Sequence, residues 1–530
     1  MTSALPAGAI ATGAYIPGQH TPSGWAQLKV TTLGDFPDED QMRAAGYLEG
    51  YLSAEQIHAH RHNVGAHFNI TSESPAVQWL VEQHDWVSQQ AAANHTAFWR
   101  AMRLLLAQLD GLVAGYAKRA EQAQLEGGSV AGRVPRLGLS DFLFMSAVGD
   151  FDDVLSATAR GQEVAWSELT PSQLSMKLAT SGKCSALVRV TGDFSDLMLA
   201  HSAWYTYGGL VRVYKHIDFA LRDPDVRLSG MSFSSYPGEL SSDDDFYLLD
   251  TGLVVLQTTN SVFNTKLYDT LTPKSVLSWQ RARVASFLAS SGQEWVGHMQ
   301  EHNSGTGNNQ WMVVDLKRFS PGRELEPGLL WVVEQAPGLV VSSDATETLV
   351  RGYWPSYNIP FHPAVYNHSG YPQFIQQQAA RGLEYANAVS GVSYQLAPRA
   401  KIFRRDVGGV TDLPSLKDFM RSNDWPDDPY SGGSPTGAIC ARGDLDPRNP
   451  RPYGCIDTKA THYRMALQRQ AYAVNGPTTA GGRLPPFEWK GEAAERVAHI
   501  GQPARFDYDF ELMTPTDELW GGGTASAAVS

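Results

Sequence analysis

The chain has 530 residues, of which 42% are hydrophobic and 18% charged, with 14 Trp and 21 Tyr; that composition belongs to a folded protein with a large core and excludes a disordered chain. A formal net charge of −13 excludes any general attraction to a nucleic acid backbone and makes anionic membrane surfaces repulsive. Three cysteines are too few for a disulfide-stapled scaffold, and the odd number leaves at least one thiol free unless chains are linked.

The opening Met1-Thr2-Ser3-Ala4-Leu5-Pro6 has neither the basic flank nor the continuous apolar run of a secretory signal, so none is expected. From Pro37 to Asn63, Asp38, Glu39 and Asp40 fill a first helical turn, where carboxylates complement the dipole. Ala44, Leu48, Leu52 and Ile57 follow at helical spacing. Val77 to Gln90 and Thr96 to Gln122 carry Leu, Trp and Phe three and four residues apart, which predicts a mainly helical portion up to residue 183. The period then changes. Cys184 to Val190, Asp196 to Trp204, Met231 to Tyr236, Phe246 to Thr258, Gln310 to Leu316 and Leu329 to Val341 are rich in β-branched and aromatic residues and bounded by Gly, Asp, Asn or Pro, as strands are. The last of these reads as two buried strands joined by a turn; Glu334, Gln335 and Pro337 keep it short of the ~18 apolar residues a membrane span requires. Pro273 to His298 and Ala345 to Tyr353 are predicted helices. Strands interleaved with helices predict an α+β fold in which helices layer on sheets, and the tail from Gly521 to Ser530 is predicted to be disordered.

No G-x-S-x-G elbow, phosphate-binding loop or dinucleotide fingerprint is present, which removes sequence support for those chemistries. His58, His60, His62 and His67 crowd one segment without an H-E-x-x-H pattern or a carboxylate at a metal-binding offset; solvated or helix-capping roles are expected, and no metal or other cofactor. Asp243-Asp244-Asp245 lacks EF-hand spacing and reads as a turn before the Phe246 strand, and Arg442-Gly443-Asp444 reads as a turn as well. Glycosylation tripeptides at Asn69, Asn94 and Asn367 matter only in a secreted protein. Cys440 and Cys455 either pair or stand as two small buried residues, the ordinary fate of unpaired cysteine and the favoured reading.

Cys184 stands apart. The polar run Ser181-Gly182-Lys183 leads straight into its strand, and a cut at Lys183-Cys184 would put a thiol and a free α-amine on one residue, a nucleophile with its own base. The strand Asp196 to Trp204 can pair with it as a hairpin turning at Gly192-Asp193, which brings His201 toward the thiol.

Several ordered motifs then become recognisable: Cys184-Ser185-Ala186-Leu187, Ala200-His201-Ser202-Ala203-Trp204, Phe233-Ser234-Ser235-Tyr236-Pro237-Gly238, Asp244-Asp245-Phe246-Tyr247, Asn308-Asn309-Gln310-Trp311-Met312, Tyr353-Trp354-Pro355-Ser356-Tyr357-Asn358-Ile359-Pro360, Pro398-Arg399-Ala400-Lys401-Ile402-Phe403 and Ile500-Gly501-Gln502-Pro503. Together they resemble the phospholipase B-like (lamina ancestor) family of N-terminal nucleophile hydrolases. The resemblance implies a four-layer αββα sandwich and a precursor that cuts itself between Lys183 and Cys184, leaving fragments 1–183 and 184–530 associated. Carried over by position, Cys184 is the nucleophile, His201 and Trp204 line the site, and Thr259, Asn358 and Arg399 complete it; Trp204 and Arg399 would also bind substrate. Asn358 would offer N–H donors to a developing oxyanion, and Arg399 would lower the thiol pKa or hold a polar head group. The family name implies deacylation of phospholipids or lysophospholipids through an acyl-enzyme and an extracellular or lysosome-like address. An amidase acting on N-acylated lipids or amino acids, and a catalytically silent lipid-binding protein, are the competing readings.

Overall fold

Ala11–Ile16 (β1) alternates buried and half-buried residues, the two-residue period of a strand with one face on a core, and Ala26–Thr32 (β2) pairs with it antiparallel. The portion predicted as mainly helical therefore also contains strands. Gly13, Ala14 and Gln27 blur the apolar alternation that would have announced them. The computed structural model to which these elements belong describes residues 8–127, 132–159, 164–181, 184–516 and 525–529.

Four helices follow: Asp38–Leu52 (α1), with three acids in its first turn, Ala54–Phe68 (α2), Pro75–Ala93 (α3) and Ala97–Glu126 (α4). The single helix expected across Pro37 to Asn63 is thus two, broken where the Ser53 hydroxyl donates back to the Glu49 carbonyl (2.6 Å). α1 and α4 approach backbone to backbone. A Cβ added at Gly46 would stand 1.9 Å from the Gln108 carbonyl oxygen and one at Gly50 2.1 Å from that of Leu112; Gly111 and Gly115 meet Arg43 and Tyr47 in the same way.

The remaining strands are Cys184–Val190 (β3), Leu197–Thr206 (β4), Val213–Asp218 (β5), Gly230–Ser235 (β6), Phe246–Leu249 (β7), Leu253–Thr259 (β8), Asn309–Asp315 (β9), Leu330–Ala336 (β10), Leu339–Asp344 (β11) and Tyr353–Ser356 (β12). Tyr453–Cys455 (β13), Asp457–His462 (β14), Ala471–Asn475 (β15), Phe487–Glu488 (β16), Arg505–Phe506 (β17), Glu511–Met513 (β18) and Ala525–Val529 (β19) complete them. One sheet has ten strands in the order β11-β10-β9-β8-β7-β6-β5-β2-β1-β19; a second has seven, ordered β12-β3-β4-β14-β15-β18 with β13 beside β4. β2 joins β5 in parallel, so residues before and after position 183 share one hydrogen-bonded sheet.

Three apolar clusters organise these elements into a mixed α+β fold. Ala186, Val188 and Leu199 of one sheet pack with Leu248, Val254, Met312 and Val332 of the other. Leu48, Ile57, Leu80 and Leu105 from α1 to α4 cover Leu28, Phe233, Val255 and Trp311 of the ten-stranded sheet. Leu187, Met198 and Ala200, on the other face of the seven-stranded sheet, receive Leu174, Phe374, Phe403 and Phe419 from later helices.

Several expectations shift. Phe246 to Thr258 is a hairpin, turning where Gly252 adopts φ +80°. Pro273 to His298 is two helices, Ser278–Leu288 and Gly292–Gln300, and Ala345 to Tyr353 is a single turn before β12 begins. The predicted disorder at 521–530 is corrected for Ala525–Val529, which pairs antiparallel with β1 because that edge supplies main-chain partners to a sequence lacking side-chain signals; Gly521 to Thr524 and Ser530 lie outside the described residues. No helix among the described residues is long and apolar enough to cross a membrane.

Gly46→Ala should lower unfolding stability by about 1–3 kcal/mol, the cost of overpacking against rigid backbone. Gly297→Ala, in an exposed helix interior with open space at Cβ, should raise it by about 0.5–1 kcal/mol. Denaturant titration of the two variants checks both signs.

Candidate active site

Antiparallel pairing of β3 with β4 sets Cys184 opposite Ala203, Ser185 opposite Ser202 and Ala186 opposite His201. Successive strand residues face opposite ways, so Cys184 and His201 share the face turned to the ten-stranded sheet, where Ala186 and Leu199 pack. The hairpin expected from the sequence is present, with Asp193 accepting the Ser195 N–H in its turn (3.0 Å).

Cys184 is buried and is the one free cysteine among the described residues. Its backbone N–H donates to Asn358 Oδ1 (3.4 Å) and its carbonyl accepts from the Arg399 guanidinium. Burial pushes the thiol well above its ordinary range; a Trp204 backbone N–H and the Lys459 ammonium favour the thiolate, and Asp244 and Asp457 oppose it. The sulfur is therefore a neutral thiol in this arrangement. Lys183, the other residue of the predicted cleavage bond, lies outside the described residues.

Asn358 follows β12 in a left-handed conformation, φ +68°. Its amide orientation is set by its neighbours: Oδ1 accepts from Arg399 (2.7 Å) and from Cys184, and Nδ2 donates to the Thr259 carbonyl (2.8 Å). The oxygen, rather than the N–H expected from the sequence, faces Cys184, and one Nδ2 hydrogen remains beyond the Thr259 bond. Thr259 ends β8 and contributes through its backbone.

Arg399 stands in the first turn of the helix Pro398–Asp406. Besides its bonds to Cys184 and Asn358 it donates to Ser185 Oγ (3.2 Å) and stacks on the Trp204 ring (4.3 Å to the centroid). Burial of the guanidinium pushes its pKa down to about 10, and it stays cationic below that. Both terminal nitrogens are committed to the protein, so this cation is arranged to hold Cys184 and Asn358 in place.

His201 is buried and reaches across to β8, where Nε2 meets the Gln257 carbonyl (2.8 Å). A carbonyl only accepts, so Nε2 carries the proton and Nδ1 is a bare lone pair with no hydrogen-bond partner among the described residues. Burial, with Lys459 adding to it, holds the ring well below its ordinary pKa and hence neutral. His201 is two strand positions from Cys184 and does not border the cavity at the thiol. That cavity, about 20 Å³, is bordered by Cys184, Trp204, Tyr205, Tyr236, Asp243, Asp244, Gln257, Thr259 and Asn309, with Gly149 and Ala203. It has room for about one water.

Four buried charges beside this cavity escape sequence reading. Lys459 on β14 bonds Asp244 and Asp457 (2.6 Å to the latter), and Arg212 reaches the same two carboxylates at 2.8 and 3.0 Å. Arg212 is clamped between the rings of Tyr236 (3.8 Å) and Trp25 (4.7 Å). Burial works against ionisation of Asp244, but Arg212 and Lys459 outweigh it and hold the carboxyl well below the usual range. Asp243-Asp244-Asp245 is the expected turn, yet Asp244 is interior. The available signal was Asp457 and Lys459 two apart in an otherwise uncharged segment, Cys455-Ile456-Asp457-Thr458-Lys459-Ala460.

The reading of Cys440 and Cys455 as unpaired is corrected: they form a disulfide. β13 pairs with β4 so that Cys455 lies opposite Trp204, and the Ser185 hydroxyl donates to the Ile439 carbonyl (2.8 Å), which brings the two segments together under Trp204. Of the histidines, His60 is neither solvated nor capping; it is buried against Glu239 (2.8 Å), because α2 turns that face to the core. Arg442-Gly443-Asp444 is a turn in which Arg442 closes on Asp444 (2.7 Å).

A model of the phospholipase B family matches residues 11–513. Phospholipase B-like 1 of Homo sapiens is 43% identical over 507 residues, covering 94% of this chain and 86% of the relative. Phospholipase B of Crotalus adamanteus is 41% identical over 501 residues (93% and 86%), and phospholipase B-like protein D of Dictyostelium discoideum is 36% identical over 507 (93% and 85%). Among solved structures, a mutant conjugated bile acid hydrolase from Clostridium perfringens aligns with TM-score 0.32 and 10% identity over 66% of this chain and 97% of that one, a likeness too distant to bear on the site. The match to the family model and to these relatives across nearly the whole length places the chain in the phospholipase B family, and it is a hydrolase.

Proposed function

We propose that this chain is an autoprocessed N-terminal-cysteine acyl hydrolase that deacylates phospholipids or lysophospholipids through an acyl-enzyme. The observation that carries the reading is the position of Cys184: the free thiol at the first residue of a strand, with its N–H held by Asn358 and its carbonyl by Arg399. In self-cleavage the thiol sulfur bonds to the Lys183 carbonyl carbon, the Lys183-Cys184 C–N bond breaks, and the nitrogen takes the proton. Water then hydrolyses the thioester, giving a Lys183 carboxylate and a Cys184 with free thiol and free α-amine. An α-amine, pKa roughly 7.7–8.0, is matched to a thiol of ~8.5 and takes its proton during attack on the substrate carbonyl. The departing alcohol recovers that proton, and water releases the fatty acid.

The other residues have parts in this scheme. Asn358 Oδ1 steadies the amine, its spare Nδ2 hydrogen faces the developing oxyanion, and Arg399 fixes both partners; Trp204 walls the site, and Thr259 and His201 brace it from β8 and β4. The cavity at the thiol is too small for an acyl group, which fits an inactive precursor opened by the cut. Fragments 1–183 and 184–530 would stay together, since β2 pairs with β5 and α1 to α4 cover the shared sheet. With helices covering the outer face of each sheet, we read the whole as the four-layer αββα sandwich.

Fatty acid release from a lysophospholipid, set beside the matching N-acyl amide, tests the assignment: the ester should turn over faster, and a faster amide would reassign the enzyme. Cys184→Ala should abolish release. Asn358→Ala should slow it by on the order of 10²-fold, the cost of losing one oxyanion donor; an undiminished rate in either variant would remove that residue from the mechanism.

A further inference from the structure

Four charges packed out of water are expensive to keep, and a buried ion network is weak support for stability. Where such a network borders a reactive group, tuning that group is the alternative use. The Arg212, Asp244, Asp457 and Lys459 side chains are each at most 4% exposed, and Asp457 and Lys459 lie on β14, which pairs with β4, the strand beside the thiol's own. Asp244 borders the cavity that Cys184 borders. Asp457 Oδ1 accepts the N–H of Ala203 (3.5 Å), the residue opposite Cys184, and Lys459 lies opposite His201 in the pairing of β14 with β4. Ser234 and Ser242 hydroxyls donate to Asp244 (3.0 and 3.4 Å), and the aromatic clamp fixes Arg212. These charges are thus set before any reaction begins, in an interior where electrostatic interactions are stronger than in water.

We propose that this network sets how readily the Cys184 thiol ionises, with Lys459 as the cation that favours the thiolate and Asp244 as the carboxylate that opposes it. The proposal rests on the reading of Cys184 as nucleophile and makes the four residues positioning residues, none of them touching substrate. Other ionisable groups stand around the thiol: Arg399 from its helix, Asp243 from the turn before β7, Tyr205 from β4, Tyr236 from the residue after β6, and His201 two positions away on the same sheet face. The two phenols and the imidazole are held neutral by burial. Arg399 is engaged with the Cys184 carbonyl and Asn358. Lys459, held between two carboxylates with one of them on the cavity wall, therefore has an effect whose sign is distinct from that of its partner.

The test is the rate at which iodoacetamide alkylates Cys184 at one fixed pH, read by peptide mass on the full chain; with Cys440 and Cys455 bonded to each other, Cys184 is its sole thiol. Lys459→Met should slow alkylation about tenfold and Asp244→Asn should speed it about tenfold, a shift of about one pKa unit in opposite directions. Lys459→Arg, which keeps the charge and serves if the methionine variant fails to fold, should stay near the unsubstituted rate. Loosened packing alone would speed alkylation in every variant, so changes of one sign, or none, would overturn the proposal. Fatty acid release by fully alkylated protein separates the two claims: release that persists would sink the nucleophile reading, while opposed alkylation rates would still uphold the network.

Discussion

The register of β3 on β4 is the constraint on which the site depends. Pairing Cys184 with Ala203 turns the sulfur toward the space between the sheets, and a slip of one residue would turn it to the outer face with Leu187 and Met198. Two unlike layers hold that register. Between the sheets, Ala186, Val188 and Leu199 mesh with β7 to β10; on the outer face, Ser185 and Ser202 donate to the Ile439 and Met420 carbonyls (2.8 and 2.9 Å). The disulfide secures the first of these loops beside Trp204, so Arg399 has a fixed ring to stack on and a fixed carbonyl to hold.

Closure has an electrostatic consequence. Burial suppresses ionisation of Cys184 and His201 alike, and beside the Arg399 cation the charges of the buried network are paired, two positive with two negative. A closed site with room for about one water keeps the thiol quiet until its surroundings change. In the proposed scheme that change is chemical: breaking the bond before Cys184 supplies an amine where there was an amide, at the point where Asn358 already offers an oxygen.

Local patterns were legible in the sequence; what depends on distant pairing was not. Cys184 to Val190 emerged with its bounds because a short, mostly apolar run ending in Val188 and Val190 lies between a glycine-containing segment and a turn, and Gly192-Asp193 announced the hairpin. β1 and β2 stayed hidden because their small and polar residues are covered by α1 and by β19, elements far away in the chain. The Cys440–Cys455 bond could not be read from spacing, since β13 must first lie on β4. Asp244 looked like one of three turn acids, and Lys459 like an ordinary strand lysine, because a buried ion network leaves no trace until two sheets meet. Asn358 was found by motif, but which end of its amide faces Cys184 is decided by Arg399 and the Thr259 carbonyl.

Whether Cys184 becomes an N-terminal nucleophile is decided by intact mass and amino-terminal sequencing of the purified protein after mild acid. Self-cleavage gives two associated fragments, one ending at Lys183 and one beginning with Cys184, and a chain that stays whole with Cys184→Ala. A full-length chain that persists while turning over substrate would contradict it.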